Sequence, residues 1–403
     1  MINYPKQAII VAGGKGLRLG RKTKNLPKPL IKIFGKPFLF YIIKFLLNNK
    51  IRNITILAGY KGDLIKKFIN DNFKKQNIKT LIEKKELGTG GALINNLKFF
   101  DKRFFYLNAD SYLKINFAKL NINKLVNSLK NIIFITKNIN YKSNKLLSNL
   151  RINKNNKINN SKINKSKMIK SMYAGISILD KKKLLSLNLH KDEFISFEKD
   201  IIEKLIFKDE LYGISINNFF IDIGTKNNLK EANKNFVKKI SEKCCFFDRD
   251  NTLIHDKGYT YKISDLKWRN GAIKAIKYLN SKGYKVIIIT NQSGIGRGYF
   301  KESDLNKFHD EMNRRLNKEK ANIDDFFYCP YSIHGKGKYK KISVDRKPNN
   351  GMLIKAINKW NINIKESLMI GNSHTDYLSA KKTKLKYFYA QNNLYSQIKK
   401  IIK

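Results

Sequence analysis

Cysteine is scarce here. The chain has three, two of them adjacent, in 403 residues. That rules out a disulfide framework and points to a reducing, cytoplasmic setting. Long apolar runs are missing too, so no stretch is expected to span a bilayer, and Met1-Ile2-Asn3-Tyr4-Pro5 lacks the form of a signal peptide. Acidic residues are few: 31 Asp and Glu face 82 Lys and Arg, a formal net charge of +51. Such an excess invites a nucleic-acid partner. The lysines, however, are scattered among Asn and Ile along the whole chain, with no finger, RNP motif or basic helical stripe. We therefore expect no nucleic-acid partner and no membrane, but attraction to phosphorylated metabolites. Hydrophobic residues make up 42% of a chain long enough for two or three globular domains.

Against that background one stretch carries concentrated chemistry. Cys244-Cys245-Phe246-Phe247 reads as a buried strand that runs into Asp248-Arg249-Asp250-Asn251-Thr252-Leu253. Side chains alternate along a strand, so Asp248 and Asp250 share a face if it continues, at the end where open α/β sheets bind ligands. Two close carboxylates repel, and a divalent cation relieves the repulsion. One can then attack a phosphoryl group while the other manages the leaving-group proton. A solvated Asp-Arg-Asp turn fits the same residues.

The start of the chain repeats the strand-then-loop theme. Gln7-Ala8-Ile9-Ile10-Val11-Ala12 leads into Gly13-Gly14-Lys15-Gly16-Leu17-Arg18, whose backbone amides can close on phosphate. Its spacing fits neither the Walker nor the dinucleotide pattern, and a plain tight turn is the alternative. Leu26-Pro27-Lys28-Pro29-Leu30 then holds a lysine in an extended segment. Further on come the Gly-rich turn Leu87-Gly88-Thr89-Gly90-Gly91-Ala92 and the strand Phe104 to Asn108 ending at Asp110. Beyond these lie Tyr173-Ala174-Gly175 and Phe220-Ile221-Asp222-Ile223-Gly224.

Together these stretches resemble the sugar 1-phosphate nucleotidyltransferases over roughly residues 3 to 235. The wording around Lys36-Pro37-Phe38-Leu39, Leu87 to Ala92 and Ser196-Phe197-Glu198-Lys199-Asp200 is most similar to the heptose 1-phosphate guanylyltransferases. The resemblance implies Mg²⁺ on Asp110 and Asp222, with Arg18 and Lys28 as catalytic cations. It places nucleotide and phosphates on Ala12, Gly13, Gly14, Gly16, Gly88, Thr89 and Asn108, and sugar phosphate on Gly175, Glu198 and Lys199. Residues 138–172 depart from the family pattern; Lys165 is the one residue there offered for the family's Glu-Lys pair.

The second half adds three more strand tips: Thr290-Asn291-Gln292-Ser293-Gly294, Asp345-Arg346-Lys347-Pro348, and Gly371-Asn372-Ser373-His374-Thr375-Asp376. Polar tips on strands separated by helices predict a doubly wound parallel sheet. From about 244 to 392 the chain resembles the haloacid dehalogenase superfamily. Its wording is similar to the branch holding heptose 1,7-bisphosphate 7-phosphatase and histidinol phosphatase. This implies Asp248 as nucleophile, Asp250 as acid and base, and Thr290 and Lys347 on the phosphoryl oxygens. Asp256, Gly258, Tyr259, Asn291, Gln292, Ser293 and Arg346 are implied substrate contacts.

Two departures stand out. Asn372 occupies the position of the family's metal-binding aspartate, so Mg²⁺ on Asp248, Asp250 and Asn372 is expected to be weakened, with Asp376 in partial compensation. The branch's zinc ligands reduce to Cys329, with Tyr331, Ser343 and Asp345 at the other positions and His334 nearby, so no zinc is expected.

The resulting expectation is an α/β chain of two Rossmann-like domains: residues 1–237 around a mixed sheet and 244–403 around a parallel one, with the boundary near 238. Combined, the two resemblances imply consecutive steps from heptose 1,7-bisphosphate to GDP-heptose, with GTP as the favoured nucleotide, serving surface polysaccharide or lipopolysaccharide assembly. The alternative is a hexose (mannose) 1-phosphate nucleotidyltransferase fused to a non-catalytic or differently specific phosphatase domain. Oligomeric state stays open.

Overall fold

The computed structural model describes residues 4–117, 120, 131–136, 150–152, 156–159 and 169–402; Lys165 and most of 138–172 lie outside them. The chain divides into two compact units, Met1–Lys239 and Ile240–Lys403. The strands in chain order are β1 (Gln7–Ala12), β2 (Lys32–Ile33), β3 (Lys36–Pro37), β4 (Asn53–Ala58), β5 (Ile78–Ile82), β6 (Arg103–Asn108), β7 (Ser111–Leu113), β8 (Asn131–Thr136), β9 (Leu150–Ile152), β10 (Ile158–Asn159), β11 (Ile169–Asp180), β12 (Leu211–Ser215) and β13 (Phe220–Asp222), then β14 (Cys244–Phe247), β15 (Lys285–Asn291), β16 (Asp325–Cys329), β17 (Leu368–Gly371) and β18 (Lys386–Tyr389).

The first unit is built on a mixed sheet ordered β10-β9-β11-β6-β1-β4-β5, with β8 beside β11 and β12 beside β8. Strands β6, β1, β4 and β5 run parallel, whereas β11 is antiparallel to β6, β8 and β9. The parallel strands are near-continuous apolar runs, as sheets covered on both faces require. Ile9 and Val11 on β1 and Leu57 on β4 pack with Tyr106, Phe197 and Ile201 into one core. A separate antiparallel pair, β7 with β13, brings Ser111 opposite Asp222. Two residues far apart in sequence thereby meet at one edge of the crevice.

The second unit is an all-parallel sheet ordered β16-β15-β14-β17-β18. β14 therefore sits centrally, with β15 and β17 as its neighbours. Alternation along β14 divides the core. Cys245 and Phe247 pack on one side with the helices Ala272–Ser281 and Glu302–Lys318, and Cys244 and Phe246 pack on the other with Gly351–Trp360. Each cysteine is a small buried apolar residue, and burial raises both thiols. Among the described residues no helix is long and apolar enough to cross a membrane.

Candidate active sites

In the first unit a crevice opens past the carboxyl end of β6. Arg18, Asn108, Asp110, Glu198, Asp222 and Thr225 line it. Lys28, itself buried, is ion-paired with Asp110, and Ser111 Oγ donates to the same carboxylate at 3.0 Å. Asp222 accepts from the Gly224 amide at 2.8 Å and from Asn228 Nδ2 at 3.0 Å. A Cβ at Gly224 would stand 2.8 Å from Asp222 Oδ1, 3.1 Å from Arg18 Nη2 and 3.1 Å from Lys28 Nζ. Only glycine lets both cations come this near the carboxylates. Gly175, at φ 72°, likewise leaves no room for a side chain, which would meet Ser111 Cβ at 2.6 Å.

Three carboxyl groups share this space and titrate differently. Burial works to raise Asp110, but Lys28 outweighs it by charge and hydrogen bond. With help from Ser111 and Arg18, the group is held below the usual carboxylate range. Asp222 and Glu198 are raised, first by burial and then by the negative charge of Asp110. Hard oxygen donors that destabilise one another's charge suit a small divalent cation. Among the described residues no group of three or more His, Cys, Asp or Glu is placed to hold a metal alone. Mg²⁺ held by one or two carboxylates plus substrate phosphates needs no such group.

Some residues expected to touch ligand are also bonded within the protein. Thr89 Oγ1 accepts from the Phe197 amide at 3.1 Å, and the Gly90 and Gly91 amides donate to Ile195 O at 2.8 and 3.1 Å. This turn therefore positions the segment that carries Glu198, a role its glycine pattern conceals. Phe197 also stacks on Tyr106 with ring centroids 4.0 Å apart. Lys199 lies exposed on the π-helical turn Phe197–Ile202, where its amide is capped by Ser196 Oγ, and it does not line the crevice. Gly13, Gly14 and Gly16 form the loop directly after β1, and nothing crowds Gly14.

In the second unit Asp248 follows β14, its amide donating to Ile370 O at 3.0 Å. Asp248 Oδ1 accepts from Lys347 Nζ at 2.6 Å, and that ammonium also donates to Ile289 O at 2.9 Å and pairs with Asp376 at 2.6 Å. Burial pushes the Asp248 carboxyl up to about 7, with Asp376 and Asp250 adding to the rise and Lys347 opposing it. Burial works against the Lys347 charge, yet Asp248 and Asp376 together raise it.

Asp250 is held separately. Arg249 Nε donates to its Oδ1 at 2.7 Å and Gln292 Nε2 to its Oδ2 at 2.7 Å. Arg249 is 0% exposed; its Nη2 donates to Thr260 O, and its guanidinium lies over the Phe308 ring at 5.0 Å. From sequence this residue was a mere spacer. A charged residue between two others gives no sign that it turns inward.

Several expected contact residues are held by protein hydrogen bonds. The Asn291 amide brackets Lys347, accepting from the backbone N–H at 3.0 Å and donating to the carbonyl at 3.1 Å. Gln292 braces Asp250 and Thr290. Asp376 is fully buried and accepts from the Asn372 and Ser373 amides at 3.1 Å each, so it caps its helix and pairs Lys347. Asp256 accepts from Thr260 N and Oγ1, which closes the loop holding Gly258 and the exposed Tyr259. Arg346 Nη1 donates to Tyr331 O at 3.3 Å. Thr290 is buried at the tip of β15 and Ser293 opens the following short helix. Cys329 is buried, with Tyr331 O at 4.0 Å from its sulfur.

Asn372 gives the metal question its sharpest form. Its side chain lies 3.1 Å from Asp248 Oδ2 and 3.3 Å from the Asp250 carbonyl, and its amide is satisfied with the NH₂ directed at both. Oxygens at such spacings fit around Mg²⁺ if the amide turns its oxygen inward.

The family model Nucleotidyl transferase matches residues 7–239, and Polynucleotide kinase 3 phosphatase matches 243–394. The D-glycero-beta-D-manno-heptose-1,7-bisphosphate 7-phosphatase of Pasteurella multocida is 39% identical over 145 residues, 36% of this chain and 79% of that protein. In Campylobacter jejuni, a D-glycero-alpha-D-manno-heptose-1,7-bisphosphate 7-phosphatase is 39% identical over 134 residues, 33% of this chain and 73% of that protein. The same organism's D-glycero-alpha-D-manno-heptose 1-phosphate guanylyltransferase is 41% identical over 118 residues, 29% of this chain and 53% of that protein. The chain belongs to the nucleotidyl transferase family through its first unit and, through its second, to the family of these 7-phosphatases.

Proposed function

We propose that the chain carries out two consecutive steps: removal of the 7-phosphate from D-glycero-D-manno-heptose 1,7-bisphosphate, then transfer of GMP from GTP to the resulting heptose 1-phosphate. The observation that carries this reading is the presence in one chain of both centres, whose relatives are named for reactions in which one product is the other's substrate. The phosphatase relatives are named for both anomers, beta in Pasteurella multocida and alpha in Campylobacter jejuni, and the guanylyltransferase relative for alpha, so the anomer stays open. A step that consumes GTP places the chain in the cytoplasm.

In the second unit the Asp248 carboxylate attacks the 7-phosphorus, with Lys347 and Thr290 beside the phosphoryl oxygens. Asp250, aimed by Arg249 and Gln292, gives its proton to the departing sugar oxygen. It then takes one from the water that hydrolyses the aspartyl phosphate. In the first unit an oxygen of the sugar 1-phosphate attacks the α-phosphorus of GTP and pyrophosphate leaves. Arg18 and Lys28 neutralise the crowded oxygens while Glu198 meets the sugar. Mg²⁺, for which Asp110 and Asp222 in one unit and Asp248, the Asp250 carbonyl and Asn372 in the other are the holding groups, supplies charge neutralisation.

A second reading draws on Asn372: a phosphatase unit that binds sugar phosphate without turnover. Phosphate release from heptose 1,7-bisphosphate by the purified chain with Mg²⁺ decides between them. Release that disappears in Asp248→Asn supports the two-step reading. No release at any Mg²⁺ concentration sinks it.

A further inference from the structure

We infer that Glu302 fastens the loop of residues 330–346 in place of a metal and so positions Arg346 for phosphate release, which rests on the phosphatase reading above. The loop leads from β16 to Arg346 and Lys347. At its ends stand Cys329, Tyr331, Ser343 and Asp345, where the resemblance puts zinc ligands, and this donor set does not suit zinc. Burial raises the Cys329 thiol, away from the thiolate that zinc requires. The Ser343 hydroxyl accepts from the Asp345 amide at 3.1 Å, and Asp345 Oδ2 is ion-paired with Lys355, which leaves the buried Oδ1 as that side chain's one open oxygen. A thiol, one carboxylate oxygen and the exposed His334 fall short of the tetrahedral set that zinc takes. Positive charge is already in place as well. Arg346 Nη1 donates to Tyr331 O at 3.3 Å, and the Lys341 ammonium lies 4.1 Å from the centre of the Tyr331 ring.

A carboxylate does the fastening. Glu302 opens the helix Glu302–Lys318; its Oε2 accepts from Tyr328 OH and its Oε1 from Tyr339 OH, both at 2.7 Å. Tyr328 lies on β16, and Tyr339 ends the short turn Gly337–Tyr339 in the middle of the loop, so one side chain ties the loop to the sheet. Hydrogen bonds to an ionised acceptor are stronger than neutral ones, and these two hold Glu302 below the usual carboxylate range against the effect of its burial. The loop is seated on its neighbours. Lys336 N donates to Gly296 O at 2.7 Å, and a Cβ on Gly296 would stand 2.5 Å from Pro330 O. Ser332 N donates to Tyr339 O at 3.2 Å, and both tyrosines pack on Ile295, Phe300 and Leu305. Lys347 is bracketed by Asn291, outside the loop, whereas the acceptor of Arg346, Tyr331 O, belongs to it. Loosening the clamp therefore frees Arg346 and leaves Lys347 in place.

The test compares wild type, Glu302→Ala, Glu302→Gln and Tyr339→Phe as the full chain. After exhaustive chelation, phosphate release from heptose 1,7-bisphosphate should return in full with Mg²⁺ alone, and metal analysis should find no zinc. Glu302→Ala should raise KM by about tenfold, the size of one charge-assisted hydrogen bond, with kcat little changed. Tyr339→Phe removes a single hydroxyl and covers the case in which the Glu302→Ala chain fails to fold; it should move KM the same way. Glu302→Gln keeps an oxygen acceptor for one tyrosine and should recover part of the loss. Trypsin cleavage after the exposed Lys336, Lys338, Lys340 and Lys341 reads the clamp without substrate, and it should quicken in Glu302→Ala and Tyr339→Phe. Unaltered cleavage, or unaltered KM, in both variants would overturn the role of Glu302, as would one zinc per chain whose loss Mg²⁺ cannot make good. Quicker cleavage in the variants of a chain that releases no phosphate even as wild type would overturn the phosphatase reading and leave the clamp standing.

Discussion

The two centres solve one electrostatic problem differently. Both bring carboxylates together to handle phosphate. In the second unit the compensating charge is built in: Lys347 is locked by Asp248, Asp376, Ile289 O and the Asn291 amide. The nearby amide of Asn372 meets Asp248 and the Asp250 carbonyl as a cation would. In the first unit Lys28 is ion-paired with Asp110 and offsets Asp222 only in part, and Asp222 and Glu198 are left with raised proton affinities. The first centre pairs its lysine with one carboxylate, whereas the second fixes Lys347 between two, although Asp248 there is still pushed up to about 7. The Mg²⁺ requirement of transfer should therefore be steeper than that of phosphate release.

The largest effect expected comes from Asp248→Asn, which removes the attacking group. Phosphate release should fall by at least about a thousandfold, as for loss of a nucleophile elsewhere. Nucleotidyl transfer measured on the same preparation should be unchanged, because Asp248 belongs to the other unit. Parallel loss of both activities would break the comparison at its root. Next in size is Asp222→Asn, with transfer slowed on the order of a hundredfold and phosphate release untouched.

The third variant converts one centre's logic into the other's. Asn372→Asp restores a full negative charge beside Asp248. Mg²⁺ binding at the second unit, read by calorimetry, should tighten on the order of tenfold. The apo protein should lose thermal stability, because the N–H donors that now satisfy Asp248 and Asp250 are replaced by a third acceptor. Tighter metal without apo destabilisation would mean that the amide is not acting as a stand-in cation.

What the sequence made legible divides along the same line. Asp248 and Asp250 are two apart in sequence and stand at a strand tip, so alternation and chain order reveal them. Asp110 and Asp222 are also visible as strand-end acids, but that they share a crevice depends on the β7–β13 pairing, which no local pattern records. Side-chain direction was the weakest inference. Asn291, Gln292, Thr89 and Asp376 all lie in the right motifs, yet their hydrogen bonds go to neighbouring protein groups that position the reacting ones. Arg249 was passed over because its importance comes from burial, and a charged residue in a polar stretch does not announce it.

The smallest effect concerns the second unit's reliance on buried polar groups without partners. His309 is buried, stacked on Phe326 with centroids 4.1 Å apart, and its Nε2 has no hydrogen-bond partner. Burial, with the nearby Arg249 charge adding to it, holds its pKa well below the ordinary histidine value. The imidazole therefore stays neutral in the fold and binds a proton when unfolded. Its contribution to stability is intact above the unfolded pKa, near 6.5, and is lost as pH falls from there toward the folded value. The slope is about 1.4 kcal/mol per pH unit for one proton, and each kcal/mol shifts the melting of a domain of this size by about 2–4 °C. Replacing His309 with Phe should remove that slope from the second unit's melting transition between pH 6.5 and 5, while leaving the first unit's transition where it was. An unchanged slope would assign the acid sensitivity to the carboxylates around Lys347 and make the closed, self-neutralised centre, rather than the helix behind it, the pH-sensitive part of the unit.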